Sequence, residues 1–422
     1  MSKTARWRSA ALPIASTALV LALAGPAAAS APAAATATTA PEAAPDATPE
    51  ATPEATPETA PETAPETAPD TKPDAAGPRV PATSTHRPVG TTSARLVDRD
   101  RPDPWRPDTP SRELMVTFWY PTDSARGAHA PYLSTELSTA LYGTDAPAGV
   151  RTGAVAGARP APGRRPLVLL SPGFGLSRTT LTALGEELAA RGYAVAAVDH
   201  TYETLVEFPG GRIEPCLVCG REGTDPDFGA TASRVRAADL RFVIDRLTAP
   251  GNRGPVRGLT VDPGRIAAVG HSLGGAAALE AMAEDRRIRA AANLDGTVWI
   301  PPTGLRSRPV LLFSSQLGGS PGATGNWEDS WKRLTGPRYW VDLPTAGHLS
   351  FSDEHWVVDA LGSRDQLPAD SGPDLFGTVR GERALAATRA YLGAFLDRHL
   401  LGRPAPLLDR PSRAFPEVRF AK

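Results

Sequence analysis

The chain has 422 residues, with 45 basic against 46 acidic side chains and a formal net charge of −1, so nothing marks it as a nucleic-acid or anionic-surface binder. Its two cysteines stand in one Cys216-Leu-Val-Cys219 step, too few for a zinc site of about four ligands. In an exported protein such a step reads as a small local disulfide in a loop.

Export is what the N-terminus predicts. Met1–Ala29 opens with Lys3, Arg6 and Arg8, continues through the apolar Ala10–Ala24 and ends on Ala27-Ala28-Ala29, the layout of a cleaved signal peptide. The apolar run is too short and alanine-rich for a permanent membrane span. Residues 30–94 read as a disordered spacer. From Pro41 to Pro73 a proline followed by Glu or Asp recurs at every fourth position. Prolines so spaced remove helix hydrogen bonds, and the segment has no large apolar side chain to bury. It is expected to hold the globular part away from the cell envelope.

Residues 95–422 are expected to form one α/β domain. Glu113–Tyr120 is rich in strand formers. Pro166–Ser171, Tyr193–Asp199, Arg265–Gly270, Ala290–Leu294, Pro309–Ser314 and Arg338–Leu343 are short apolar runs suited to a buried parallel sheet. Between them, Thr179–Arg191, Ala237–Leu247 and Glu382–Leu400 carry leucines at helical spacing. Strands alternating with helices predict a doubly wound, mostly parallel sheet. Two long connections, Pro131–Gly163 and Thr201–Ala230, break the rhythm and are expected to be walls or lids near the site.

The chemistry centres on Gly270-His271-Ser272-Leu273-Gly274-Gly275. It follows a buried strand and precedes the helical run Ala276–Ala283, the strand-turn-helix context of a nucleophile elbow. Ser272 is the expected nucleophile, and the backbone N–H of Leu273 one oxyanion donor at a helix N-terminus. Ser171-Pro-Gly-Phe-Gly175 ends an earlier strand, where this architecture takes its second donor, here the N–H of Phe174. A base must follow the nucleophile in chain order; His348, on a loop past Arg338–Leu343, fits better than His355, and His399 reads as packing. His200, at a strand end, is a candidate for lining the pocket. For the acid, Asp295 ends the strand Ala290–Leu294, whereas Asp342 lies within a strand.

Arg112–Pro121, Ser171–Gly175, Gly270–Gly275 and Leu294-Asp295-Gly296 together resemble the platelet-activating factor acetylhydrolase (isoform II) family, from about Arg95 to Leu400. The resemblance implies an α/β-hydrolase fold, the acid on the strand after the nucleophile, and a calcium-independent serine esterase that cleaves short or oxidised acyl chains from phospholipids. It implies no cofactor and no metal, and transient contact with a lipid surface. One departure is Pro172, where that family has histidine; Ser-Pro-Gly-aromatic at this turn is similar to actinobacterial cutinase-like polyester hydrolases. The expectation is a secreted carboxylic ester hydrolase, with polyester or triglyceride as the alternative substrate and a non-catalytic binding module of the same fold as the rival.

Overall fold

The computed structural model describes residues 77–249, 254–301, 303–315, 327–367 and 372–421. The signal peptide and the Pro-acid repeat lie outside the described residues. In chain order the strands are β1 (Val89–Asp98), β2 (Arg112–Pro121), β3 (His129–Pro131), β4 (Arg151–Ala156), β5 (Arg164–Ser171), β6 (Ala194–Asp199), β7 (Val206–Phe208), β8 (Arg212–Glu214), β9 (Thr260–His271), β10 (Ile288–Leu294), β11 (Val310–Ser314), β12 (Arg338–Asp342) and β13 (Arg419–Phe420). Eleven form one sheet in the order β13-β12-β11-β10-β9-β5-β6-β2-β1-β4-β3, and β7 pairs with β8 alone. The run β6-β5-β9-β10-β11-β12 is parallel, while β2 and β13 join it antiparallel. This is the mostly parallel, doubly wound sheet expected of an α/β-hydrolase.

Both faces of the sheet are covered, which is why its strands read as unbroken apolar runs. Along β5, Val168 and Leu170 pack with the helices Thr182–Arg191 and Gly381–Leu401. Leu167 and Leu169 face the other way, toward Phe228–Thr248 and Leu273–Glu284. The central strands therefore end in a row between two helical layers, and side chains at their carboxyl ends open onto one crevice.

The domain starts earlier than the Arg95 boundary expected from sequence. Val80 is buried, its N–H donates to Arg151 O, and β1 begins at Val89. Val89-Gly-Thr-Thr-Ser-Ala has one large apolar residue, too weak a signal to separate this strand from the spacer before it. The connection Pro131–Gly163 also differs from expectation. It carries the helix Thr135–Tyr142 and strand β4, and packs through Tyr132, Leu137 and Tyr142 on Trp356 and Val357. It extends the sheet edge instead of forming an irregular wall.

Candidate active site

Strand β9 ends at His271, and the helix Leu273–Glu284 begins one residue after Ser272. The turn between them forces Ser272 to φ 54°, a region a non-glycine residue enters only when its surroundings compel it. Two glycines make the turn possible. A Cβ on Gly270 would lie 2.1 Å from Gly274 O, and one on Gly274 would lie 2.0 Å from Ser171 O. The Ser272 N–H donates to Leu294 O at 2.9 Å, tying the elbow to the neighbouring strand.

That neighbour, β10, ends one residue before Asp295, which repeats the device. Asp295 has φ 56°, and its N–H donates to Phe313 O on β11 at 2.8 Å. Its carboxylate accepts from Ser315 N–H at 2.8 Å, from Ser315 Oγ at 2.9 Å, and faces His348 Nδ1 at 2.7 Å. His348 Nε2 lies 2.9 Å from Ser272 Oγ. Ser272, His348 and Asp295, from the ends of β9, β12 and β10, thus form one hydrogen-bonded line. Asp342 is elsewhere: it accepts from Ser314 Oγ and from Trp340 Nε1, on the same face as that indole. His355 is buried against Ser350, and His399 contacts Tyr339.

His271 packs under the line. Its ring lies 4.8 Å from that of His348, and its Nε2 is 2.7 Å from His348 O, so it donates there. Burial, with the nearby His348, pushes the imidazole down to about 3, leaving it neutral. A neutral ring can support the loop that carries His348 by donating to its carbonyl.

The turn Ser171–Gly175 lies beside the elbow, as the Gly274 contact to Ser171 O requires. The half-buried Phe174 ring meets Phe228 edge-on at 4.9 Å, and both belong to an apolar group with Leu273, Val218 and Trp105. The Thr201–Ala230 connection therefore reaches the two residues expected to supply the oxyanion donors. It is stapled by the Cys216–Cys219 disulfide, with Cα atoms 5.7 Å apart.

Three features escaped sequence reading. His200 does not line a pocket; it is buried, with Nε2 2.9 Å from Ser171 Oγ and Nδ1 2.9 Å from Asp239 Oδ2. Burial would raise the Asp239 carboxyl, but Arg112, Arg101 and His200 outweigh it and hold it well below the carboxylate range. Arg236, also buried, donates to Glu203 at 2.7 Å and to Pro172 O at 2.6 Å. Ser315 completes the shell of Asp295. Each contact joins residues distant in sequence, and none leaves a periodic or motif signature.

Among the described residues, no group of three or more His, Cys, Asp or Glu side chains is placed to hold a metal ion, and no helix is long and apolar enough to cross a membrane. Two surface cavities of about 860 and 730 Å³ lie along β1 and near β7, and neither is lined by Ser272.

Residues 118–206 match the family described as platelet-activating factor acetylhydrolase, isoform II. A probable 1-alkyl-2-acetylglycerophosphocholine esterase of Arthroderma benhamiae is 32% identical over 270 residues, 60% of this chain and 66% of that protein. The platelet-activating factor acetylhydrolase of Cavia porcellus is 26% identical, over 54% of this chain and 58% of its own. The alignments thus span less than two thirds of these relatives' lengths. A solved ferulic acid esterase from Streptomyces cinnamoneus is 56% identical with a TM-score of 0.77, covering 82% of this chain and 100% of its own. The chain is a carboxylic ester hydrolase of the α/β-hydrolase fold, similar over residues 118–206 to the platelet-activating factor acetylhydrolase (isoform II) family.

Proposed function

We propose that this chain hydrolyses carboxylic esters with Ser272 as nucleophile, His348 as base and Asp295 as the acid that orients it. The observation that carries this reading is the line from Ser272 Oγ through His348 to the buried Asp295, at 2.9 and 2.7 Å. In the proposed reaction His348 Nε2 takes the Ser272 proton as Oγ attacks the ester carbonyl. Asp295 stabilises the charged imidazole, and the N–H groups of Phe174 and Leu273 receive the oxyanion. The proton passes to the leaving alcohol, and water, activated by His348, releases the acid. Ser272→Ala is expected to remove activity toward p-nitrophenyl esters by several orders of magnitude while the protein stays folded. Retention of a tenth of wild-type turnover, or indifference of the wild type to a serine-directed organophosphate, would sink the assignment.

For substrate, an ester of an aromatic acid is supported by the likeness to the Streptomyces cinnamoneus ferulic acid esterase and by the half-buried Phe174 ring beside Phe228. The second reading, a short or oxidised acyl chain on a phospholipid, is supported by the relative from Arthroderma benhamiae. Methyl ferulate, a short-acyl phosphocholine, a long-chain triglyceride and a polyester film, compared by kcat/KM, separate these readings from the cutinase-like one. Export rests on Met1–Ala29, and mass spectrometry of the mature N-terminus tests it, while transient contact with a lipid surface rests on the phospholipid reading.

A further inference from the structure

The Arg236–Glu203 pair lies directly behind the turn assigned to the oxyanion. Arg236 belongs to the helix Phe228–Thr248 and is 1% exposed; Glu203, on the segment after β6, is fully buried. The Arg236 guanidinium donates to Pro172 O at 2.6 Å and reaches Gly173 O at 3.5 Å, while its Nε holds Glu203 Oε2 at 2.7 Å. Glu203 is fixed in turn: Trp105 Nε1 donates to its other oxygen at 3.0 Å, and its own carbonyl accepts from Gly175 N–H at 3.1 Å. Thr204 Oγ1 donates to Gly175 O at 2.9 Å, and His200 holds Ser171 Oγ at the start of the turn.

In a planar trans peptide the carbonyl and the N–H point in opposite directions. The carbonyl of Gly173 and the N–H of Phe174 belong to one peptide unit. A cation that draws the Pro172 and Gly173 carbonyls toward the protein interior therefore turns the Phe174 N–H outward. It also polarises that unit, making the N–H a stronger donor. Glu203 keeps the buried guanidinium paired, and its loss would leave an uncompensated buried charge.

We infer that Arg236, held by Glu203, is a positioning residue that aims the Phe174 N–H at the oxyanion. It touches neither substrate nor Ser272, and no sequence motif marks it. The inference rests on the reading of Ser272 as nucleophile. A lysine would keep the charge but not the planar fork that spans a carbonyl and a carboxylate together.

The full chain is assayed with p-nitrophenyl butyrate and with an aryl trifluoromethyl ketone, whose hemiketal with Ser272 places an oxyanion in the same donors. A fluorophosphonate count of reactive serine corrects for unfolded protein. Arg236→Gln is expected to lower kcat by about 100-fold with little change in KM, and to weaken the ketone by a similar factor, the scale of losing one oxyanion donor. Arg236→Lys is expected to recover part of both. A folded variant whose kcat and ketone affinity stay within about threefold of wild type overturns the inference, as does a rise in KM alone. If Arg236→Gln does not fold, the same readings on Arg236→Lys and Glu203→Gln decide. Wild type that the fluorophosphonate fails to label at Ser272 overturns the nucleophile reading itself, before any variant is compared.

Discussion

Asp295 and Asp342 show what one residue's setting decides. Both stand near the carboxyl edge of the sheet, but only Asp295 reaches His348 Nδ1, at 2.7 Å, with Ser315 donating to both of its oxygens. The Asp342 carboxyl is raised by burial and occupied by Ser314 and Trp340. Asp295→Asn is therefore expected to cut kcat by something like 10⁴, the scale seen when an orienting aspartate is replaced, and Asp342→Asn to leave it nearly intact. Reversed effects in two folded variants would reassign the acid. Ser272, Asp295 and His348 could be picked out from sequence because each follows an apolar strand and has a glycine within two positions. Arg236 and Glu203 could not, since a buried ion pair between a helix and a loop has no spacing to read. His200 misled for a related reason: a strand-end histidine looks the same in sequence whether it faces a crevice or a buried aspartate.

At the scale of elements, the helix Asp353–Ala360 follows directly on the turn that carries His348. Its first two residues are buried carboxyls. Burial pushes Asp353 up to about 8 and Glu354 up to about 7, with Glu186 adding to the first and Tyr142 bonded to the second. Unfolded, both ionise near pH 4. Between about pH 4 and 8 the folded state then holds protons that the unfolded state has lost, so these groups make stability fall as pH rises through that window. His271, driven down by burial, acts in the opposite direction below about pH 6.5. The informative quantity is accordingly a difference: Asp353→Asn/Glu354→Gln should gain stability over wild type in denaturant at pH 8.5, and gain little at pH 4.5. Equal differences at both pH values would show that the two groups ionise normally. The strands of this region were legible as apolar runs because both their faces are covered. β1, β3 and β4, at the far end of the sheet beyond β2, were not, because they carry fewer large apolar side chains.

At the scale of the molecule, the start of the folded unit decides what can be removed. Val80 is buried, Pro81 O and Ala82 O accept from Arg389, and Ser84 N–H donates to Glu187. Deleting residues 30–74, which include the Pro-acid repeat, is expected to leave the melting temperature unchanged. Extending the deletion through Ser84 should lower it by several degrees, since it strips a buried valine and two partners of a buried arginine. Equal melting temperatures in calorimetry would show that this N-terminal segment contributes nothing. Ser272 and Asp295, both at positive φ, carry a different consequence. Each donates its own N–H to a carbonyl near the end of the strand one place along the sheet, that of Leu294 or Phe313, so the elbow is bonded into β10 and β10 into β11. Neither turn can relax by fraying alone; it must break the central sheet to do so. On slow heating, esterase inactivation should then track the cooperative melt of the whole domain, with no earlier phase in which the fold survives and the site does not. The same amides should be among the last to exchange with deuterium, although one of them belongs to the proposed nucleophile.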